Sequence, residues 1–121
     1  MENKKVQLKF RAVNKDIFEA ILNGTKKIET RAATTKFKNL KAGEIVLLVC
    51  GKDQAEKKIK KTQTFKSIGD LVSVYKVSDI NPDLKTHEQL TKMYYSFPNY
   101  KEKIDKNGLI AIEFEEVKNE K

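Results

Sequence analysis

Six consecutive apolar residues, Ile45 to Cys50 (IVLLVC), leave a strand at this point with no polar face. Side chains alternate across a strand, so such a run has to be covered from both sides, as in a central strand of a layered fold. The flanking segments supply candidate partners. Val6 to Ala12 alternates, with Val6, Leu8 and Phe10 on one face and Gln7, Lys9 and Arg11 on the other, which predicts a half-buried strand. Asn14 stands as a helix N-cap before Ile17, Phe18, Ile21 and Leu22 at helical spacing, and Gly24 marks the stop. Lys26 to Arg31 reads as a second strand, Thr34 to Leu40 as irregular, and Lys41-Ala42-Gly43-Glu44 as a turn.

Beyond the apolar run, Gly51-Lys52-Asp53-Gln54 predicts a hairpin turn into a basic strand from about Lys57 to Phe65, with Ile59 and Phe65 inward. Ser67 and Asp70 form a capping start for Ile68, Leu71, Val72 and Tyr75, although Val72, Val74 and Val77 leave a strand open over residues 67–78. After the break at Asn81-Pro82, Thr86 to Gln89 is a capping box for a helix whose apolar face is Leu90, Met93, Tyr94 and Phe97. Pro98 opens a short helix that Gly108 ends, and Leu109 to Val117 is the last strand, with Ile110, Ile112 and Phe114 on one face. Five strands interrupted by helices do not suit a doubly wound parallel sheet. They predict an α+β fold: a small, mostly antiparallel five-stranded β-barrel with flanking helices. Residues 1–121 read as one domain, its core spanning about residues 5 to 117 and its C-terminal tail frayed.

Composition narrows the chemistry. Cys50 is the only cysteine, so no intrachain disulfide forms, and its apolar setting suggests a buried, inert thiol. One Cys and one His, the latter at the exposed first turn of a helix, cannot build a tetrahedral zinc site without several carboxylates, and no metal or cofactor is expected. The start MENKKVQLKF lacks the apolar stretch of a signal peptide, and no run approaches the roughly 20 apolar residues of a membrane span. A cytoplasmic protein without a membrane partner is the expectation. The net charge of +8 favours polyanions. Scattered surface lysine accounts for the total about as well, but less well for the six lysines between Lys52 and Lys66. That cluster either tracks a nucleic-acid backbone or protects an edge strand by charge.

Gly24 to Arg31 (GTKKIETR) concentrates the most chemistry. Along a strand Lys27, Glu29 and Arg31 share one face, with Ile28 on the other; Lys26 has the opposite parity from Glu29 but lies at a turn that can re-aim it. A carboxylate between two cations stays ionised and orients them toward phosphate or carbonyl oxygens. Only two of the 25 basic residues are arginines, Arg11 and Arg31, and the planar fork of Arg31 offers bidentate contacts that lysine cannot. A plain alternation of surface charges on a solvent-facing strand is the competing reading. Tyr95 lies off the apolar helix face and Tyr100 follows the break after that helix, and both are candidates for stacking on bases.

The pattern G-x-K-x-x-E-x-R at Gly24, Lys26, Glu29 and Arg31 resembles the signature of the ASCH domain family, part of the PUA-like superfamily. The similarity covers roughly Lys9 to Glu115 and includes FEAILNG, LKAGE with its strand, FKSIGDL, YYSFPNY and GLIAIEFE. The resemblance implies a five-stranded barrel, a cleft beside the signature and RNA binding. It also implies an enzymatic alternative. One group of small bacterial members resembles an amidohydrolase of N4-acetylcytidine, with a Lys, a Thr three residues later and a distant Glu credited with catalysis, and other members are described as ribonucleases. Here Lys26 matches, but Glu29 occupies the Thr position and Thr30 takes the other face.

Two functional expectations follow. In the first, RNA or a modified nucleoside is bound by Lys26, Lys27, Glu29, Arg31, Lys58, Lys60, Tyr95 and Tyr100, with Gly24 and Gly43 shaping turns. In the second, a hydrolase uses Lys26 and Glu29 as catalytic groups in the same cleft. A protein partner is a third class, implied by the family's occurrence beside regulatory proteins.

Overall fold

The computed structural model describes residues 6–115. Its five strands are β1 (Val6–Phe10), β2 (Ile28–Ala32), β3 (Ile45–Cys50), β4 (Asp53–Phe65) and β5 (Leu109–Phe114). Five helices accompany them: α1 (Lys15–Leu22), α2 (Ile68–Val72), α3 (Val77–Ile80), α4 (His87–Tyr95) and α5 (Tyr100–Asn107). The strands form one sheet in the order β1-β3-β4-β5-β2, with β1 parallel to β3 and all other pairs antiparallel. It curls into a half-barrel whose two edges are β1 and β2. The expected α+β architecture is therefore present, as an open barrel.

Two hydrophobic clusters lie on opposite sides of this sheet. Leu8, Val46, Leu48, Ile59, Ile110, Ile112 and Phe114 line the inner side, plugged by Phe18 and Ile21 of α1 and by Leu40. Ile28, Ala32, Leu109 and Ala111 face outward under α2 to α5, against Leu71, Ile80, Leu90, Tyr94 and Ile104. The strands covered most completely on both sides are thus β2 and β5, whereas β3 alternates. Its Val46, Leu48 and Cys50 are buried, but Leu47 and Val49 are half-buried and Ile45 is 41% exposed. The outer residues of β3 sit in register with Gln7, Glu56, Lys9 and Gln54, whose long side chains shelter them in place of a helix layer.

Several boundaries shift for local reasons. Asn14 does occupy the N-cap of α1 but makes no side-chain cap bond. A 3-10 turn over Ala12–Asn14 leads into the helix, and Asn14 lacks the extended backbone that aims a capping side chain (φ −106°, ψ 22°). The helical reading of residues 67–78 holds, with Ser67 accepting from the Asp70 amide. The helix ends at Val72, however, and restarts as α3. Both halves of the Thr86–Gln89 capping box are formed. Pro98 precedes α5 rather than opening it, because Asn99 takes a left-handed conformation (φ 62°) first. Strand β4 begins four residues earlier than expected, since the turn after Cys50 closes with only Gly51 and Lys52. Val117 and the tail lie outside the described residues.

Strand β4 carries one irregularity that matters for the site. Its register with β5 skips a residue between Ile59 and Lys61, making Lys60 a bulge. Before the bulge, Ala55, Lys57 and Ile59 oppose buried Leu48, Val46 and Phe114 and share their inward face. After it the parity inverts, and Thr62 opposes Ile112 and donates to the Leu40 carbonyl at 2.9 Å.

Gly108 links α5 to β5 with φ 76°, and a Cβ there would lie 2.2 Å from the Phe65 carbonyl oxygen. Gly108→Ala is expected to cost about 2–3 kcal/mol in urea unfolding, because left-handed strain adds to a backbone clash. Gly69→Ala within α2, whose Cβ would meet only Ser67 Oγ at 3.7 Å, is expected to change stability by less than about 1 kcal/mol.

Candidate nucleic-acid interface

The corner between α1 and β2 is shaped by short polar contacts. Gly24 adopts φ 87°, the Thr25 amide donates to Asn23 Oδ1 at 2.9 Å, and the Lys26 amide returns to the Ala20 carbonyl at 2.9 Å. These contacts turn the Lys26 side chain inward. Its Nζ donates to the carbonyls of Ile28 and Ile80 and lies 3.5 Å from Glu29 Oε1. Three acceptors meet the three hydrogens of one ammonium, which is only 3% exposed. Burial pushes the Lys26 pKa below its usual value, and the adjacent Glu29 carboxylate opposes that shift.

Glu29 is shared. Its Oε2 accepts from Arg31 Nε at 2.8 Å, while Arg31 Nη2 donates to the Lys9 carbonyl on β1 at 3.1 Å. The guanidinium also lies over the rings of Phe10 and Phe37, at 5.0 and 5.9 Å from their centroids. Arg31 therefore spans the gap between β2 and β1, where the half-barrel is open. The signature brings Lys26, Glu29 and Arg31 together as a mostly buried charge chain, so the alternative of a solvent-facing strand of charges does not hold.

A depression of about 230 Å3 opens at the end of β2 where the signature begins. Its cationic lining is Lys26, Lys27 and Lys57, and its apolar walls are Ile21 and Phe114. Glu29 and Arg31 lie behind it rather than in it. Of the basic strand, only the inward-facing Lys57 reaches this depression; Lys58 has the opposite parity, Lys60 is the bulge, and both are exposed.

The aromatic candidates separate. Tyr95 is 43% exposed and lines a second depression with Lys66, Ser67, His87 and Thr91 on the helical side. Tyr100 stacks on Tyr94, meets the edge of Phe97 and accepts a hydrogen bond from the Ala32 amide at its hydroxyl oxygen, at 3.0 Å. Its ring is thereby committed to the helix–sheet core. Thr30 points outward, its hydroxyl hydrogen-bonded to that of buried Tyr94. Gly43 takes φ 91° in its turn, and Cys50 is buried. Among the described residues no cluster of His, Cys, Asp or Glu could hold a metal ion, and no helix is long and apolar enough to cross a membrane.

The ASCH domain model matches residues 12–118. The chain belongs to the ASCH domain family. Two solved structures share the fold of this ASCH domain. The crystal structure of hypothetical protein PH0355 superposes with a TM-score of 0.77 at 24% identity, over 94% of this chain and 100% of that one. The solution NMR structure of protein PF0455 from Pyrococcus furiosus does so with a TM-score of 0.68 at 23% identity, over 93% and 99%. No curated protein matches the chain.

Sequence reasoning did not single out Lys57, nor Phe10 and Phe37 as the rings around Arg31. The first was legible in part, since Lys57 and the inward Ile59 are two residues apart and so share a face of the strand. The second depended on the fold. In this ASCH domain Glu29→Gln is expected to lose about 3 kcal/mol in urea unfolding, because it leaves two neighbouring cations without their counter-charge. A pH series gives a second check. With the Lys26 pKa lowered in the folded chain, the unfolded chain binds more protons as pH approaches 10.5, so this group makes stability rise with pH there. Lys26→Met is expected to lack that alkaline increment relative to the unaltered protein.

Proposed function

We propose that this ASCH domain binds RNA, holding a nucleotide or single strand at the basic mouth of the half-barrel beside the signature. The observation that carries the reading is the convergence of Lys26, Lys27 and Lys57 on one depression with apolar walls. Oxyanions suit the ammonium groups, and Ile21 and Phe114 suit the less polar parts of a nucleotide. The net charge of +8 supplies attraction at longer range. Within this reading Glu29 and Arg31 hold the wall of the site, and Lys26 anchors its floor. A buried lone cysteine fits a reducing compartment, and we place the protein in the cytoplasm.

A second reading, a small hydrolase, draws on the adjacency of Lys26 and Glu29 and on the downward shift of the Lys26 pKa, as a general base requires. Against it, the hydrogens of Lys26 are already engaged, and the Thr30 hydroxyl is bound to Tyr94 on the other side of β2. N4-acetylcytidine and RNA incubated with concentrated protein are expected to remain intact; turnover abolished by Glu29→Gln would favour the hydrolase instead.

For the binding reading, the test is affinity for short single-stranded RNA across a salt series. Log K is expected to fall with log salt at about 0.7 per phosphate contact. Salt-independent binding, or equal affinity for an acidic polypeptide of the same length, would argue against RNA as the ligand.

A further inference from the structure

The lysine-rich strand β4 does not present its cations alike. Lys57 lies before the Lys60 bulge, on the inward parity, opposite buried Val46 and two residues from fully buried Ile59. It is half-buried, and partial burial lowers its pKa. Lys61 lies beyond the bulge, opposite Glu113, and is exposed. A cation on the inward face of a strand is costly unless something compensates for the water it loses.

The surroundings indicate what compensates. Asn23 Oδ1 already accepts from the Thr25 amide, so the Asn23 group left for a ligand is its Nδ2 donor. The depression thus sets the ammonium groups of Lys26, Lys27 and Lys57 and the Asn23 amide donor against a single carboxylate, Glu115, beside the apolar surfaces of Ile21 and Phe114. A lining dominated by donors complements an oxyanion. Lys26 contributes field rather than contact, because its hydrogens are directed to Ile28, Ile80 and Glu29.

We infer that Lys57 is the cation through which β4 contacts the ligand at this site, placed there by the Lys60 bulge to bind a phosphoryl group of the nucleic acid. The inference rests on the RNA-binding reading and deepens it, by assigning the phosphoryl contact to one side chain among the six lysines of the segment. The phosphoryl group belongs either to an internal phosphodiester or to a terminal phosphate, and both present the same oxyanion.

The test compares Lys57→Gln with Lys61→Gln in binding a short single-stranded RNA, synthesised with a 5′-phosphate and with a 5′-hydroxyl. Thermal unfolding of each variant establishes that it is folded. Lys57→Gln is expected to weaken binding about tenfold and to reduce the salt slope by about 0.7, while Lys61→Gln stays within about twofold. Lys57→Arg, which keeps the charge, is expected to retain the slope. Loss of the Lys57 effect only with the 5′-hydroxyl RNA assigns the contact to a terminal phosphate, and an equal effect with both assigns it to the internal backbone. Equal losses in the Lys57 and Lys61 variants would overturn the inference while leaving RNA binding intact. No RNA binding by the unaltered protein would remove the parent reading and this inference with it.

Discussion

The Glu29 carboxylate is the hinge of the electrostatics in this protein. It sits between the Lys26 ammonium and the Arg31 guanidinium, and through them it reaches two other elements. Lys26 continues to the carbonyl that ends α3, and Arg31 continues to the backbone of β1. Neither cation could be taken this far out of water without a shared counter-charge. The open side of the half-barrel is consequently closed by side chains, where a fifth ladder of backbone hydrogen bonds, between β2 and β1, would close a complete barrel. Phe10 and Phe37 complete the closure by covering the guanidinium.

Around that charge chain, β2 and β5 act as the partition between two cores. The inner face of β5 belongs to the cluster under α1, that of β2 carries Glu29 and Arg31, and the outer faces of both belong to the cluster under α2 to α5. Tyrosines fix the outer layer to the partition. Tyr94 meets Thr30, Tyr100 accepts from the Ala32 amide, and Tyr75 donates to Glu113 at 2.6 Å. Each places a polar tip on the sheet and a ring in the apolar layer, which suits an amphipathic aromatic. The strand that carries the signature is therefore held from both sides, and the depression beside it has a rigid frame.

The order and type of most elements were legible because their signals are local. Alternation in β1, the capping box of α4 and the capping serine of α2 each depend on a few neighbouring residues. Which strand is the most buried was not legible. IVLLVC is the stronger apolar run, yet the helices cover β2, whose sequence IETRA reads as half polar. Burial there is made tolerable by partners distant in sequence, Ile80 for Lys26 and Lys9 for Arg31. The parity of β4 was obscured by its bulge, because a pattern of period two cannot be carried through an extra residue. The signature itself announced a charged site, but only the fold distinguished the groups that build its wall from those that face its opening.

The position of β2 also bears on how the chain is made. Its sole ladder in the described sheet is with β5, and Thr30 meets a tyrosine 64 residues away. A nascent chain emerges from its N-terminus, so β2 waits with its backbone unpaired until β5 has been synthesised, although the partners of its charges, Lys26 and Lys9, precede it in the chain. Assembly of the signature region thus waits for β5, and a chain truncated before residue 109 would leave β2 as an unpaired edge available to chaperones and proteases.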